Sequence, residues 1–179
     1  MAPFDQELAF AHELADRAAD IGLEVFAGDF EVRQKEDRSP VTEGDTRIEA
    51  MIREALAGRF PGDAILGEEG GLDGSGARMW IIDPIDGTRN FAARIPIWAT
   101  LIAFSVDGRT TVGLASAPAL GERYAATREG GATMNERSIH VSGVSTVAGA
   151  LVSIADMGAW LGRAAADGQT WGQSALARR

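Results

Sequence analysis

The chain has 179 residues, of which 45% are hydrophobic and 24% charged, a composition typical of a globular domain with a sizeable core. Its 26 acidic residues outnumber 17 Lys and Arg residues, and the resulting net charge of −9 argues against non-specific nucleic-acid binding. The absence of cysteine excludes disulfides, thiol catalysis and thiolate metal sites.

The N-terminal residues and the apolar runs predict a cytoplasmic protein that binds neither membrane nor nucleic acid. Residues 1–7 contain no basic region and no apolar run, so they do not resemble a secretory signal. The longest apolar run, residues 97–104, contains Thr100 and is too short to span a bilayer.

Two amphipathic helices are predicted in the first third of the chain. Residues 5–26 carry apolar side chains at helical spacing, on a stripe formed by Phe10, Leu14, Ile21 and Val25. A second helix is predicted over residues 43–57, with the buried face Ile48, Met51, Ile52, Ala55 and Leu56. Thr42 suits its N-cap, and Asp45 falls in its first turn, where an acid is favoured by the helix dipole.

Short strands and turns fill the regions on either side of the second helix. Residues 31–38 are polar and predict a short strand or hairpin that carries Lys35. Residues 64–67 predict a strand that leads directly into two acids, Glu68 and Glu69. Residues 70–77 are rich in glycine and predict a loop.

The stretch from Trp80 to Phe91 contains the most informative pattern. Residues 80–82 predict the end of a buried strand, after which Asp83 and Asp86 stand three positions apart on a stiff turn containing Pro84. Gly87 permits close approach of a ligand to the backbone, and the residues from Thr88 onward predict a helix start whose N–H groups favour an anion. Two strands that both end in carboxylates predict one shared cation, because a divalent metal and a phosphate need such groups together.

The remaining sequence predicts a run of antiparallel strands. Residues 96–105 and 110–117 are apolar, and Asp107 with Gly108 predicts the hairpin turn that joins them. Further strands are expected over 122–127, 132–134 and 138–141, with another over 149–154 and a short helix over 157–166. Helices followed by a mainly antiparallel sheet predict an α+β fold.

Three blocks in order resemble the inositol monophosphatase family of magnesium-dependent phosphomonoesterases. These blocks are Val41-Thr-Glu-Gly-Asp45, Gly67-Glu-Glu69, and Asp83-Pro-Ile-Asp-Gly-Thr88 with Asn90-Phe91. The resemblance covers residues 4–142. It implies the family's layered α/β/α/β/α sandwich, and commonly a homodimer.

The resemblance also implies roles for individual residues. Glu68, Asp83 and the carbonyl of Ile85 would bind a first Mg²⁺, and Asp83 with Asp86 would help to bind a second. Catalysis would rest on Glu68, Thr88 and Asp45, with Asp45 hydrogen-bonded to Thr88, which orients the attacking water. The phosphate would lie on the N–H groups of Gly87 and Thr88, and the further candidates are Lys35, Glu69 and Arg89.

Arg89 and the segments that follow it predict the substrate. A basic residue at this position, with Pro96-Ile-Trp98-Ala-Thr100 and Ser116-Ala-Pro118, resembles the histidinol-phosphatase branch, which acts in histidine biosynthesis. The resemblance therefore implies hydrolysis of histidinol phosphate, with an inositol monophosphate as the alternative substrate. A surface arginine with no role in substrate binding is the third interpretation.

The chain departs from the family pattern in its last part. Family members carry a Trp-Asp pair that completes the second metal site, but none of the four tryptophans here is followed by Asp. We therefore expect residues 1–142 to form the metal- and phosphate-binding part and residues 143–179 to begin an incomplete second part. An inactive remnant that binds a metal or a partner is the alternative to a working phosphatase.

Overall fold

The fold was determined from a computed structural model, which describes residues 4–35 and 39–153. The chain divides into two compact units, Met1–His140 and Val141–Arg179. The second unit contains a short 3₁₀ helix, Val147–Gly149, and no strand occurs in residues 149–153, so the strand predicted from residue 149 is wrong there. Residue 154 and the helix predicted over 157–166 lie outside the described residues, and the division at residue 142 stays a prediction.

The described residues of the first unit form three α-helices, α1 (Asp5–Ala27), α2 (Glu43–Arg59) and α3 (Thr88–Ala92), and a short 3₁₀ helix, Pro118–Leu120. The two long helices confirm the prediction, and each extends slightly beyond its predicted end. The stripe of α1 is correct in its centre, where Leu14 and Val25 are buried, whereas the larger Phe10 and Ile21 are half-buried at its borders. In the part of the chain that the structure describes, no helix is long and apolar enough to cross a membrane.

Ten strands complete the first unit. They are β1 (Val32–Gln34), β2 (Pro40–Thr42), β3 (Ala64–Gly67), β4 (Gly71–Asp73), β5 (Arg78–Asp86), β6 (Ala99–Val106), β7 (Arg109–Ala117), β8 (Glu122–Thr127), β9 (Gly131–Met134) and β10 (Arg137–Ile139). β1 and β2 form a separate hairpin, and the other eight form one sheet in the order β10-β9-β8-β7-β6-β5-β3-β4.

The sheet is antiparallel except between β3 and β5, which run parallel. α1 packs against α2, β6 and β7, and α2 packs on β5. The predicted α+β class is confirmed. Asp107 and Gly108 both have positive φ, 51° and 71°, as the predicted hairpin turn between β6 and β7 requires.

Two local predictions are wrong. The glycine-rich stretch after Glu69 is not all loop, because Gly71 turns the chain at φ 64° and β4 pairs with β3. The chain also does not leave the sheet at Asp83, because β5 continues to Asp86 after an irregularity in its pairing with β6. Pro84 fits inside this irregularity, since it lacks the N–H that a regular ladder would use.

Alternation along the strands gives the sheet two different faces. Side chains such as Trp80, Ile82 and Phe104 are buried under the helices. The other face carries an open, almost entirely apolar groove, whose lining includes Ile81, Leu101, Gly113, Ala115 and Ala126. Asp83, within β5, also lines this groove, so this acid is accessible from the face opposite the helices.

Candidate active site

The register between β3 and β5 brings the two acidic ends together. Gly67 is the partner of Ile82, so the next residue along each strand, Glu68 and Asp83, follows at the same edge. The parallel pairing therefore brings Glu68 and Asp83 close together, although Asp83 lies within β5 and not at its end. Asp86 is exposed at the end of β5, but its charge still acts on Asp83.

Asp83 lies in an environment that disfavours its charge. Burial, together with the nearby negative charge of Glu68, raises the pKa of Asp83 to about 7. A hydrogen bond to Glu68 and the charges of Asp86 and Asp45 act in the same direction. One carboxylate oxygen of Asp83, Oδ1, is buried and has no hydrogen-bond partner. A cation beside these acids would lower the pKa of Asp83 again, because a positive charge favours the ionised carboxylate.

Lys35 provides a positive charge that contacts both acids following β3. Its Nζ lies 2.7 Å from Oε1 of Glu68 and 2.7 Å from Oε1 of Glu69. Burial alone would lower the pKa of Lys35, but the hydrogen bonds to Glu68 and Glu69 outweigh it and raise the pKa. For Glu69 the balance is opposite: burial raises its pKa more than Lys35 lowers it. Two of the three further candidates from the sequence, Lys35 and Glu69, therefore lie beside Glu68.

Asp45 is held in a fixed orientation at the start of α2. It is 1% exposed, and its Oδ2 accepts hydrogen bonds from the backbone N–H of Thr42 at 2.8 Å and from the Thr42 hydroxyl at 2.6 Å. Burial raises its pKa despite these bonds. Thr42 immediately precedes α2, as predicted.

Thr88 joins Asp45 to the end of β5. Its hydroxyl donates to the carbonyl of Ile85 at 2.9 Å, and the same oxygen lies 3.5 Å from Oδ1 of Asp45. Because a hydroxyl has one proton, the shorter bond is the main one in this geometry. The pairing of Thr88 with Asp45 that the family resemblance implies is thus present only as a long contact.

The turn before α3 requires glycine. Gly87 has φ 87°, and a Cβ at this position would lie 3.0 Å from the carbonyl oxygen of Ile97. The first N–H groups of a helix have no partner within the helix, so those that follow Gly87 are suited to an anion. Arg89 is exposed in the first turn of α3.

Thr100 fixes the irregular part of β5 from the neighbouring strand. It is 1% exposed, and its hydroxyl donates to the carbonyl of Pro84 at 2.8 Å. Asp83 pairs with Leu101, and Asp86 pairs with Ala99, so Thr100 lies opposite the interruption between them. The sequence places Thr100 in an apolar strand and in a segment that resembles the histidinol-phosphatase branch, but nothing local indicates a partner 16 residues away.

The donor set suits a hard divalent cation, although the acids do not enclose one. Within residues 4–35 and 39–153, no three or more His, Asp and Glu side chains are grouped closely enough to surround a metal ion. Glu68, the unpartnered Oδ1 of Asp83 and the carbonyl of Ile85 are nevertheless all oxygen donors, the type that Mg²⁺ prefers. These residues fit a metal at the junction of β3 and β5, where Glu68 also forms an ion pair with Lys35.

Glu49 and Arg53 of α2 were not identified from the sequence. Glu49 is 3% exposed and accepts hydrogen bonds from the N–H groups of Glu69 and Gly70. A Glu four residues before an Arg is typical of an exposed helix face. The signal that it is buried was its position between Ile48 and Ile52 on the apolar stripe.

Comparison with known proteins places this site in a family. The family described as "Inositol monophosphatase family" matches residues 4–157. The histidinol-phosphatase of Streptomyces coelicolor is 40% identical over 178 residues, covering 94% of this chain and 67% of that protein. The histidinol-phosphatase of Mycobacterium tuberculosis is 40% identical over 161 residues, covering 86% of this chain and 62% of that protein.

A solved structure shows the same fold. The Thermotoga maritima IMPase superposes with a TM-score of 0.73 at 33% identity, covering 77% of this chain and 54% of that one. The chain thus spans between about half and two thirds of the length of the relatives it matches.

Proposed function

The chain belongs to the inositol monophosphatase family, and from this we propose that it carries the metal- and phosphate-binding part of an enzyme that hydrolyses phosphate monoesters. Members of this family use metal ions, and related phosphatases act on small phosphorylated substrates. The observation that carries the proposal is the junction of β3 and β5, where Glu68 meets Asp83, whose Oδ1 is buried without a partner.

We propose that Mg²⁺ is the metal. Glu68, Asp83 and the carbonyl of Ile85 would hold a first ion, and Asp83 with Asp86 would contribute to a second. When bound, such ions supply a nucleophilic water at neutral pH and neutralise the charge on the phosphoryl oxygens. Glu69 and Lys35 would tune the charge at this position through Glu68.

The chain's own groups would position the water and the phosphate. Because the hydroxyl of Thr88 donates its proton, its lone pairs remain available to accept a hydrogen bond from the attacking water. Asp45, anchored by Thr42, would accept the Thr88 proton in place of the Ile85 carbonyl once that carbonyl holds the metal, since the hydroxyl has only one proton to donate. The N–H groups of Gly87 and Thr88 would hold the phosphate, as the start of a helix favours an anion.

Histidinol phosphate is the substrate that we propose, with an inositol monophosphate as the alternative. Two relatives at 40% identity are named histidinol-phosphatases, and the Thermotoga neighbour is named an IMPase. Arg89 would contact the substrate from the first turn of α3. The division into residues 1–142 and 143–179, a homodimer and a cytoplasmic location stay predictions.

Phosphate release from histidinol phosphate and from inositol 1-phosphate tests this proposal. We expect the 179-residue chain to release phosphate from histidinol phosphate only when Mg²⁺ is present, and at a lower rate from inositol 1-phosphate. A reversed preference would contradict the substrate assignment. No release from either ester by folded protein at any Mg²⁺ concentration would contradict the phosphatase, and would leave the inactive remnant.

Thr100 provides a prediction about the scaffold of the site. Thr100→Val removes the hydroxyl that holds Pro84, and we expect about 1–3 kcal/mol of destabilisation because a buried carbonyl loses its donor. We also expect phosphate release to fall at least tenfold, since the acids at both ends of the irregularity lose their fixed separation.

Thr111→Val is the matched control for Thr100→Val. The Thr111 hydroxyl is likewise buried and donates to a carbonyl, that of Phe104, at 3.2 Å beside the other irregularity in the sheet. Chemical denaturation should show a similar loss of stability in both variants, and phosphate release should fall only for Thr100→Val. Equal activity in the two variants would show that Thr100 is only structural.

A further inference from the structure

We propose that Glu49 and Arg53 are positioning residues that hold the turn between β3 and β4, so that Glu68 and Glu69 face the metal. This inference rests on the function proposed above, and it assigns a role to a part of α2 that contacts neither metal nor phosphate. The turn comprises residues 67–71, and it carries both acids that follow β3.

Glu49 binds the backbone of this turn with both of its carboxylate oxygens. Oε2 accepts the N–H of Glu69 at 2.8 Å, and Oε1 accepts the N–H of Gly70 at 2.7 Å. Two consecutive backbone groups are therefore fixed immediately after Glu68. Hydrogen bonds to a buried carboxylate are about twice as strong as neutral ones, so the turn is held more firmly than by ladder bonds alone.

Arg53 connects the same carboxylate to the far side of the turn. Its Nε donates to Oε1 of Glu49 at 2.8 Å, and its Nη2 donates to the carbonyl of Gly71 at 2.6 Å. Arg53 also neutralises the Glu49 charge, which would otherwise add to the negative charge of the site. The pair thus contacts three consecutive residues of the turn, Glu69, Gly70 and Gly71.

The turn lies against this pair without free space. A Cβ on Gly67 would lie 2.2 Å from Oε1 of Glu49, and a Cβ on Gly70 would lie 2.9 Å from Nη2 of Arg53. A larger residue at either position would have to displace the Glu49 carboxylate or the Arg53 guanidinium. The backbone therefore rests directly on the Glu49 carboxylate, and a change in that carboxylate moves the turn.

Glu49 and Arg53 would orient proposed metal ligands, so the loss of Mg²⁺ affinity on substitution can be judged from other residues with that role. Their substitution typically weakens metal affinity about 10–100-fold. Glu49→Gln keeps the size of the side chain, but it removes the charge and replaces one acceptor oxygen with an NH₂ group. The new NH₂ group then faces either a backbone N–H of the turn or the Arg53 guanidinium, which are both donors, and we expect the turn to shift.

Asp63→Asn is the matched control, because Asp63 is a second buried carboxylate bound to an arginine. It accepts hydrogen bonds from Nε of Arg78 at 2.6 Å and from the indole N–H of Trp80 at 3.0 Å. Asp63 precedes β3, at the opposite end of this strand from Glu68. Its substitution disturbs a second pair of a buried carboxylate with an arginine, without touching the turn.

Calorimetric Mg²⁺ titration of the wild type, Glu49→Gln and Asp63→Asn tests the inference. We expect both variants to unfold at lower temperature than the wild type in EDTA, and only Glu49→Gln to bind Mg²⁺ about 10–100-fold more weakly. Arg53→Lys keeps the positive charge but cannot donate to Glu49 and to the carbonyl of Gly71 at the same time, so its Mg²⁺ affinity should fall less than that of Glu49→Gln. If Glu49→Gln does not fold, the Mg²⁺ affinity of Arg53→Lys tests the inference instead.

The results that would overturn the inference differ from those that would overturn the proposed function. Wild-type Mg²⁺ affinity in Glu49→Gln, or in Arg53→Lys if that variant alone folds, would show that the pair only stabilises the fold. If Asp63→Asn bound Mg²⁺ as weakly as Glu49→Gln does, this too would show that the Glu49–Arg53 pair only stabilises the fold. Absence of Mg²⁺ binding in the wild type would instead overturn the proposed metal site, and this inference with it.

Discussion

Asp83→Asn is expected to abolish phosphate release and, at pH 8, to make the metal-free protein more stable. Loss of a shared metal ligand removes several kcal/mol of transition-state stabilisation, which corresponds to a rate loss of about 10³-fold or more. The gain in stability has a separate cause: in the absence of metal, the charge of ionised Asp83 is disfavoured by burial and by the negative charges of Glu68, Asp86 and Asp45. Asparagine carries no charge, so it removes both penalties.

The raised pKa of Asp83 determines how the stability of the metal-free protein changes with pH. The pKa of Asp83 is about 7 in the folded protein against an ordinary value of 3.8, so between these values the folded state binds more protons than the unfolded state. The free energy of unfolding of the metal-free wild type therefore decreases as the pH rises from about 4 to 7. At pH 8 the full penalty is present, whereas below pH 4 Asp83 contributes none.

The size of this stability difference is limited by solvent. A shift of about three pKa units corresponds to roughly 4 kcal/mol, but Asp83 is partly exposed, and screening reduces the contribution to about 1–2 kcal/mol. For a chain of this length, the midpoint of thermal unfolding should rise by about 2–8 °C.

Thermal unfolding in EDTA at pH 5 and pH 8 measures the effect. We expect the midpoint of Asp83→Asn to exceed that of the wild type at pH 8, with a smaller difference at pH 5. Asp73→Asn, an exposed acid in β4, should leave the midpoint unchanged at both pH values. A lower midpoint for Asp83→Asn at pH 8 would mean that the carboxylate stabilises the fold rather than straining it.

Thr88→Val should reduce the turnover rate by about 10²–10³-fold. Valine has nearly the same shape, but it cannot accept a hydrogen bond from water or donate to the carbonyl of Ile85. Thr88→Ser keeps the hydroxyl and should retain activity within about tenfold of the wild type, since only a methyl group is lost. Phosphate release at saturating substrate and Mg²⁺ distinguishes the two variants.

Asp45 should act through Thr88 rather than independently. Asp45→Asn replaces an acceptor oxygen with an NH₂ group, which can donate to the Thr88 oxygen and occupy the lone pair that the attacking water would use. If the two residues work as a unit, the double variant Asp45→Asn/Thr88→Val should be no slower than Thr88→Val alone. Additive losses would show that Asp45 serves another purpose.

The predictable parts of the fold depend on local sequence patterns. Residues 5–26 and 43–57 have an apolar period close to 3.6, and both became long helices. The Asp107-Gly108 pair determines its turn through backbone geometry alone, so the hairpin was predictable as well. The convergence of Glu68 and Asp83 was inferred because both follow apolar strands.

The unpredicted parts depend on contacts between distant segments. β5 continues past Pro84 because Thr100, 16 residues later, supplies a hydrogen bond that the sequence around Pro84 does not reveal. The burial of Glu49 likewise depends on the turn 20 residues later that donates two N–H groups to it. Neither contact leaves a periodic pattern, since each joins one side chain to a backbone group elsewhere.

Calorimetric titration of the wild type with Mg²⁺ at pH 6, below the pKa of Asp83, beside Asp83→Asn shows whether the junction of β3 and β5 is a metal site. A metal site at this junction has two consequences. It predicts saturable binding in the wild type, accompanied by proton release because Asp83 must ionise, and loss of both signals in Asp83→Asn. Absence of saturable binding in the folded wild type, or unchanged binding in Asp83→Asn, would contradict a metal site at this junction.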